Sequence, residues 1–156
     1  MIELPAAVYQ TRALAKIVDF VSVGSNDLTQ YLLAVDRNNP RVADIYSAFH
    51  PAVLGALHHV VKESHLEQRS VSICGEMAGD PGAAVLLIAM GFDILSMNSA
   101  ALLRVKSVIR NVSLSAAKQL LKRVMEMDNT QSIRKAVDLM LYNSGVDRIL
   151  RSSRTN

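Results

Sequence analysis

Two carboxylates, an arginine and a single thiol stand out as groups able to do chemistry. Glu3 closes a short β-rich run at Met1–Leu4. Asp27 follows a second such run in the loop Gly24-Ser25-Asn26-Asp27. Glu3 and Asp27 on neighbouring strands could share one hard cation, because Mg²⁺ takes one or two carboxylates plus water and substrate oxygens. The alternative is a helix-capping Asp27 with Glu3 in a salt bridge. The loop at 24–27 opens a helical stretch, and backbone N–H groups at a helix start favour anions. Arg37, at the end of that stretch, can add a bidentate phosphate contact. No Gly-Lys-Ser/Thr follows the glycine, so the loop is not a Walker A sequence.

Cys74 lies between Val71-Ser72-Ile73 and Gly75-Glu76-Met77-Ala78-Gly79-Asp80. A cysteine at a strand end on a glycine-rich turn can donate a proton or attack as a nucleophile. A lone cysteine also serves as a small buried hydrophobe. Glu76 could form a salt bridge or orient its neighbours. His50, His58, His59 and His65 lack zinc-site spacing and read as solvated histidines. Met90, Met97, Met125, Met127 and Met140 fall at apolar positions and read as core filler.

These groups need elements to hold them, and the chain alternates two patterns. Short β-rich runs occur at Met1–Leu4, Phe20–Gly24, Ser70–Cys74 and Ile94–Asn98. Helical patterns follow at about 6–18, 51–66, 82–90 and 99–110, with two more at 115–126 and 131–141. Asp80-Pro81 and His50-Pro51 mark helix starts, Ser99 and Ser113 can cap, and Gly91 marks a stop. Val53, Leu54, Leu57, Val60 and Val61 form one buried helical face. Strand–helix alternation implies a parallel sheet covered by helices. Ligands of such folds bind at the carboxyl ends of the strands. Glu3, Gly24–Asp27, Cys74–Glu76 and Ser96–Ser99 all fall there.

Composition narrows the class. The 156 residues, half of them apolar, suffice for about one domain with a core. No run of about 18 apolar residues exists, which excludes a transmembrane helix. The first residues carry an acid and no basic stretch, unlike a secretory signal. One cysteine makes no internal disulfide, which fits a reducing cytoplasm. Residues 1–100 carry a net charge of −4 and residues 101–156 a net +7. A basic tail can bind nucleic acid, but no aromatics interleave it as a stacking platform requires, so a solvated helical face is the expectation.

Four segments resemble a known family. VSVGSNDLTQYLLAVDRNN (21–39) resembles the second signature of the phosphoenolpyruvate-utilising enzymes, and MIELPAA (1–7) the strand preceding it. SICGEMAGDP (72–81) looks like the segment with that family's catalytic cysteine. FDILSMNSAALLRVKSVIRN (92–111) is similar to the last barrel strand and helix. The order and spacing match, and the likeness is weakest beyond about 115. Residues 30–38 and 74–80 look most like the phosphotransferase-system branch, in its sugar or nitrogen-related form. Pyruvate phosphate dikinase and phosphoenolpyruvate synthase share the core at 24–30 but usually differ after it.

The resemblance implies an α/β fold: the C-terminal half of a TIM (β/α)₈ barrel, about four parallel strands over 1–112, with extra C-terminal helices over 113–156, all one domain. It implies a transferase that passes the phosphoryl group of phosphoenolpyruvate (PEP) to a histidine, releasing pyruvate. Glu3 and Asp27 would hold Mg²⁺. Asn26, Asp27 and Arg37 would bind substrate, and Cys74 would protonate the enolate of pyruvate. The phospho-accepting histidine, the docking site for the histidine phosphocarrier protein and the first half of the barrel have no counterpart in 156 residues. The chain is therefore expected to lack full phosphotransfer alone, or to serve as a non-catalytic structural or dimerisation fragment. A half barrel leaves open strand edges, so association, for example as a homo-oligomer, is expected.

Overall fold

The structure, a computed structural model, describes residues 1–39, 41–42 and 45–145. Val21 and Val23 alternate with less buried neighbours in β1 (Phe20–Gly24), as Val71 and Ile73 do in β2 (Ser70–Cys74). That period of two sends the aliphatic side chains to one face. β1 and β2 pair in parallel with Val21 beside Val71 and Val23 beside Ile73. β3 (Ile94–Ser96) continues the sheet in parallel, with Ser96 beside Cys74. Strand order is β1-β2-β3, the order of the chain.

The expected first strand is reduced to one residue. Ile2 donates to Ser22 O at 2.7 Å and accepts from Gly24 N at 3.0 Å, a single parallel bridge on the outer side of β1. Pro5 explains the brevity: it starts α1 (Pro5–Tyr9) two residues after Glu3. The expected helix at 6–18 is likewise split, into α1 and α2 (Thr11–Ala15), with Gln10 between them outside helical geometry.

α3 (Ser25–Leu33) begins where β1 ends. α4 (Pro51–Leu66) buries Val53, Leu54, Leu57, Val60 and Val61, the expected face. A 3₁₀ turn at Glu76–Gly79 was not anticipated and leads into α5 (Pro81–Met90). α5 is apolar all round and almost wholly buried, as a helix enclosed by others must be. α6 (Ser99–Asn111), α7 (Leu114–Val124) and α8 (Thr130–Asn143) surround it.

Four caps follow the sequence logic with one change. His50 Nδ1 accepts from Ala52 N, Asp80 from Ala83 N and Ser113 from Ala116 N. The cap of α6 is Asn98, not Ser99: its Oδ1 accepts from Ala101 N at 2.9 Å. α5 stops at Gly91, which is left-handed with φ 103°. One core continues from the sheet through α4 and α5 to Leu120, Val124, Ile133 and Val137 of the last two helices. Met90 belongs to it, and Met97, Met127 and Met140 pack against it. Met125 does not: it lies just past the end of α7 and is exposed.

Candidate functional site at the strand ends

The face of the sheet opposite the core carries Ser22, Ser72, Cys74 and Ser96, all half-buried or exposed. Its carboxyl end is where Cys74, Asn26 and Arg37 come near one another. Register sets Gly24, Cys74 and Ser96 side by side across three strands. The Cys74 thiol, half-buried, donates to Val23 O at 3.5 Å. Ser25 Oγ donates to Cys74 O at 2.7 Å and so ties the start of α3 to the end of β2.

Two glycines make this closeness possible. Gly75 adopts φ 105°, open to glycine but strained for other residues. A Cβ there would also collide with Ser25 Oγ and lie 3.0 Å from Asn26 Oδ1. At Gly24 a Cβ would fall 2.7 Å from both Cγ and Oε1 of Glu3. The bare backbone at Gly24 thus lets the Glu3 side chain lie against the end of β1.

Asn26 is a junction. Its Oδ1 accepts from Glu76 N at 3.1 Å, and its backbone carbonyl accepts from Tyr46 Oη at 3.2 Å. Burial pushes the Tyr46 phenol above its ordinary pKa and nearby Glu76 pushes the same way, against the opposing pull of Arg37. Arg37 Nη1 stands 3.5 Å from Glu76 Oε1. Asp27 sits exposed in the first turn of α3, where a carboxylate is favoured by the helix dipole. Cys74, Asn26 and, through Glu76, Arg37 are therefore joined in one network. Glu3 reaches the same rim, and Asp27 lies one residue beyond Asn26.

The donor set at Glu3 and Asp27, two carboxylates, suits a hard cation that fills its other positions with water and substrate oxygens. Among the described residues no group of three or more His, Cys, Asp or Glu side chains gathers into an all-protein cage. His58 and His59 are half-buried apart from the rim, and His65 pairs with Asp93 at 3.2 Å. Beyond the rim lies an open groove of about 740 Å³, lined by Asn26, Glu76, Asp80, Asn98 and Arg104 among others. Sequence reasoning missed Ser25 and Tyr46. Ser25 was legible as part of the loop at 24–27. Tyr46 gave no signal, because its partner is a backbone carbonyl 20 residues away.

A parallel sheet in chain order, with polar side chains at its carboxyl ends, defines an α/β protein of the kind that meets ligands at that rim. Residues 1–114 match the family described as PEP-utilising enzyme, PEP-binding domain, and the chain belongs to it. The chain is 42% identical over 151 residues to a protein of Escherichia coli (strain K12) named for the phosphoenolpyruvate-dependent phosphotransferase system. That match covers 97% of this chain and 20% of the relative. A phosphoenolpyruvate-protein phosphotransferase of Haemophilus influenzae is 40% identical over 147 residues, covering 94% of this chain and 26% of the relative. One of Buchnera aphidicola is 41% identical over 138 residues, covering 88% and 24%. The chain thus spans about a fifth to a quarter of the length of these relatives. No helix among the described residues is long and apolar enough to cross a membrane.

Proposed function

We propose that this chain is the PEP-binding part of a phosphoenolpyruvate-protein phosphotransferase, acting in the cytoplasm. The observation that carries the reading is the network joining the Cys74 carbonyl, Ser25, Asn26, Glu76 and Arg37 at one rim. Asn26 and Arg37 bind the phosphoryl group, Asn26 through its amide and Arg37 through a planar charged fork. Glu3 and Asp27 would hold Mg²⁺, which when bound would supply positive charge to stabilise the transferring phosphoryl group.

Cleavage of the bridging P–O bond moves the phosphoryl group to a histidine nitrogen outside this chain. The electron pair stays on the pyruvate enolate. Cys74 then gives its proton to the methylene carbon, completing the ketone, and the thiolate regains a proton from solvent. In reverse the thiolate removes a methyl proton. The histidine phosphocarrier protein docks away from this rim.

The three strands and the Ile2 bridge are read as the C-terminal half of a (β/α)₈ barrel. Parallel chain order, and a sheet face on which Phe20, Ile94 and Ser96 are exposed, support that reading. The open edges pair with further strands, from a longer polypeptide or a second copy.

Calorimetric titration of PEP with Mg²⁺ tests the site. Binding is expected, and its loss in Glu3→Ala, Asp27→Ala is expected with it. Cys74→Ala should keep PEP affinity within about threefold but abolish deuterium uptake into the methyl group of pyruvate, the loss of a proton-transfer group costing about 10²-fold or more. A folded chain that binds no PEP would be a structural fragment.

A further inference from the structure

The segment between α3 and α4, residues 34–50, carries Arg37 and then returns to the helix it left. It departs through a costly turn. Ala34 is left-handed at φ 53°, a conformation that suits glycine. Such a turn persists where contacts further along the chain hold it. Arg37 contributes little to that hold. Its side chain stands 3.5 Å from Glu76 Oε1, and the Glu76 carboxylate is largely exposed, an arrangement of small net worth. The Arg37 N–H reaches Gln30 Oε1 only at 3.4 Å.

Tyr46 supplies the hold. Its partly buried hydroxyl donates to the Asn26 carbonyl at 3.2 Å, in the first turn of α3, and so closes 20 positions of chain on themselves. Asn26 is then fixed at two points, because its Oδ1 accepts from Glu76 N at 3.1 Å. With Oδ1 engaged, the amide NH₂ is the group Asn26 has left to offer, and an anion accepts it. Arg37 stands close enough to act on the Tyr46 phenol. One hydroxyl therefore sits between the two side chains assigned to the phosphoryl oxygens.

We propose that Tyr46 is a positioning residue for the phosphoryl group: it holds Asn26 and the Arg37 segment at the spacing a phosphate needs, without touching substrate. The proposal rests on the rim being a PEP site. Displacing binding groups by about 1 Å is enough to weaken what they bind. The loss should be selective, since a ligand without a phosphoryl group makes no use of Asn26 and Arg37.

The test is titration calorimetry of the full chain at fixed Mg²⁺ with PEP and with oxalate, which has the shape of the pyruvate enolate and no phosphoryl group. Tyr46→Phe keeps the ring and removes the hydroxyl. It should weaken PEP about three- to tenfold and leave oxalate within about twofold. Ser47→Ala is the control for the fold of the same segment, because it removes the Oγ that accepts from Phe49 N at 3.2 Å and touches neither Asn26 nor Arg37. It should leave both affinities unchanged, with a melting temperature no higher than that of Tyr46→Phe. Unchanged PEP affinity in Tyr46→Phe, a parallel loss of PEP and oxalate, or the same PEP loss in Ser47→Ala would overturn the proposal and make Tyr46 a structural residue only. A parent chain that binds no PEP would overturn the reading of the rim itself, and the proposal with it.

Discussion

Among single residues, Glu76 has the most consequential position. Its backbone N–H fixes the Asn26 side chain, while its own carboxylate, largely exposed, engages Arg37. If Arg37 binds phosphate, Glu76 competes for it. Glu76→Gln keeps the backbone contact and removes the competitor. PEP should then bind about two- to fivefold tighter, the range open to an exposed ion pair worth up to ~1 kcal/mol. Unchanged affinity by calorimetry would mean that Glu76 does not restrain Arg37. At this scale the sequence was informative where chemistry is local. Cys74 and the loop at 24–27 stood out by type and by glycine neighbours, while the role of Asn26 within that loop came only with the family resemblance. The Arg37–Glu76 pair spans 39 positions and Tyr46–Asn26 spans 20, and no period in the chain encodes either.

Elements are tied at their ends as well as along their faces. Asp93, just before β3, accepts from Val71 N at 2.7 Å and pairs with the His65 ring from the end of α4. Burial would raise the Asp93 carboxyl, but the Val71 N–H and His65 together bring it below its ordinary pKa. A carboxyl lowered on folding stabilises the fold above its unfolded pKa, near 4, and that stability is lost as pH falls through the lower folded value. Asp93→Asn should therefore lower the urea midpoint at pH 6 and shrink the difference between midpoints at pH 6 and pH 3. Equal pH dependence in variant and parent would remove Asp93 from the account. Strand and helix positions were legible because burial imposes periods of 2 and 3.6. The short first strand was not: its four residues lack room for a period, and Pro5 turns the chain into α1.

For the whole molecule, the boundary of the family match at 114 does not coincide with a boundary of the core. Leu120, Val124, Ile133 and Val137 pack around α5, which has no polar side to offer water. A chain ending at Val112 should lose its cooperative thermal transition, read by circular dichroism, because each large apolar side chain removed from a core costs about 2–5 kcal/mol. A sharp melt near the parent's would show that the last helices are dispensable. Residues 146–156, the rest of the C-terminal segment expected to be helical, lie outside the described residues. Self-association through the sheet edges should appear in sedimentation as mass rising with concentration; a monomer throughout would leave the edges to other parts of a longer polypeptide.

The face of the sheet opposite the core has a consequence for whatever lies against it. Ser22, Ser72, Cys74 and Ser96 share it with Phe20 and Ile94, which stand exposed at the amino ends of β1 and β3. Covering the hydroxyls adds little to the negative heat-capacity change of apolar association, whereas covering the phenyl ring and the isoleucine adds to it directly. A body that closes over this face meets apolar contact at the amino ends of the strands and hydrogen-bond direction toward their carboxyl ends. One side of a five-residue strand holds the protein together, and the other offers grease at one end and directed polar groups at the other.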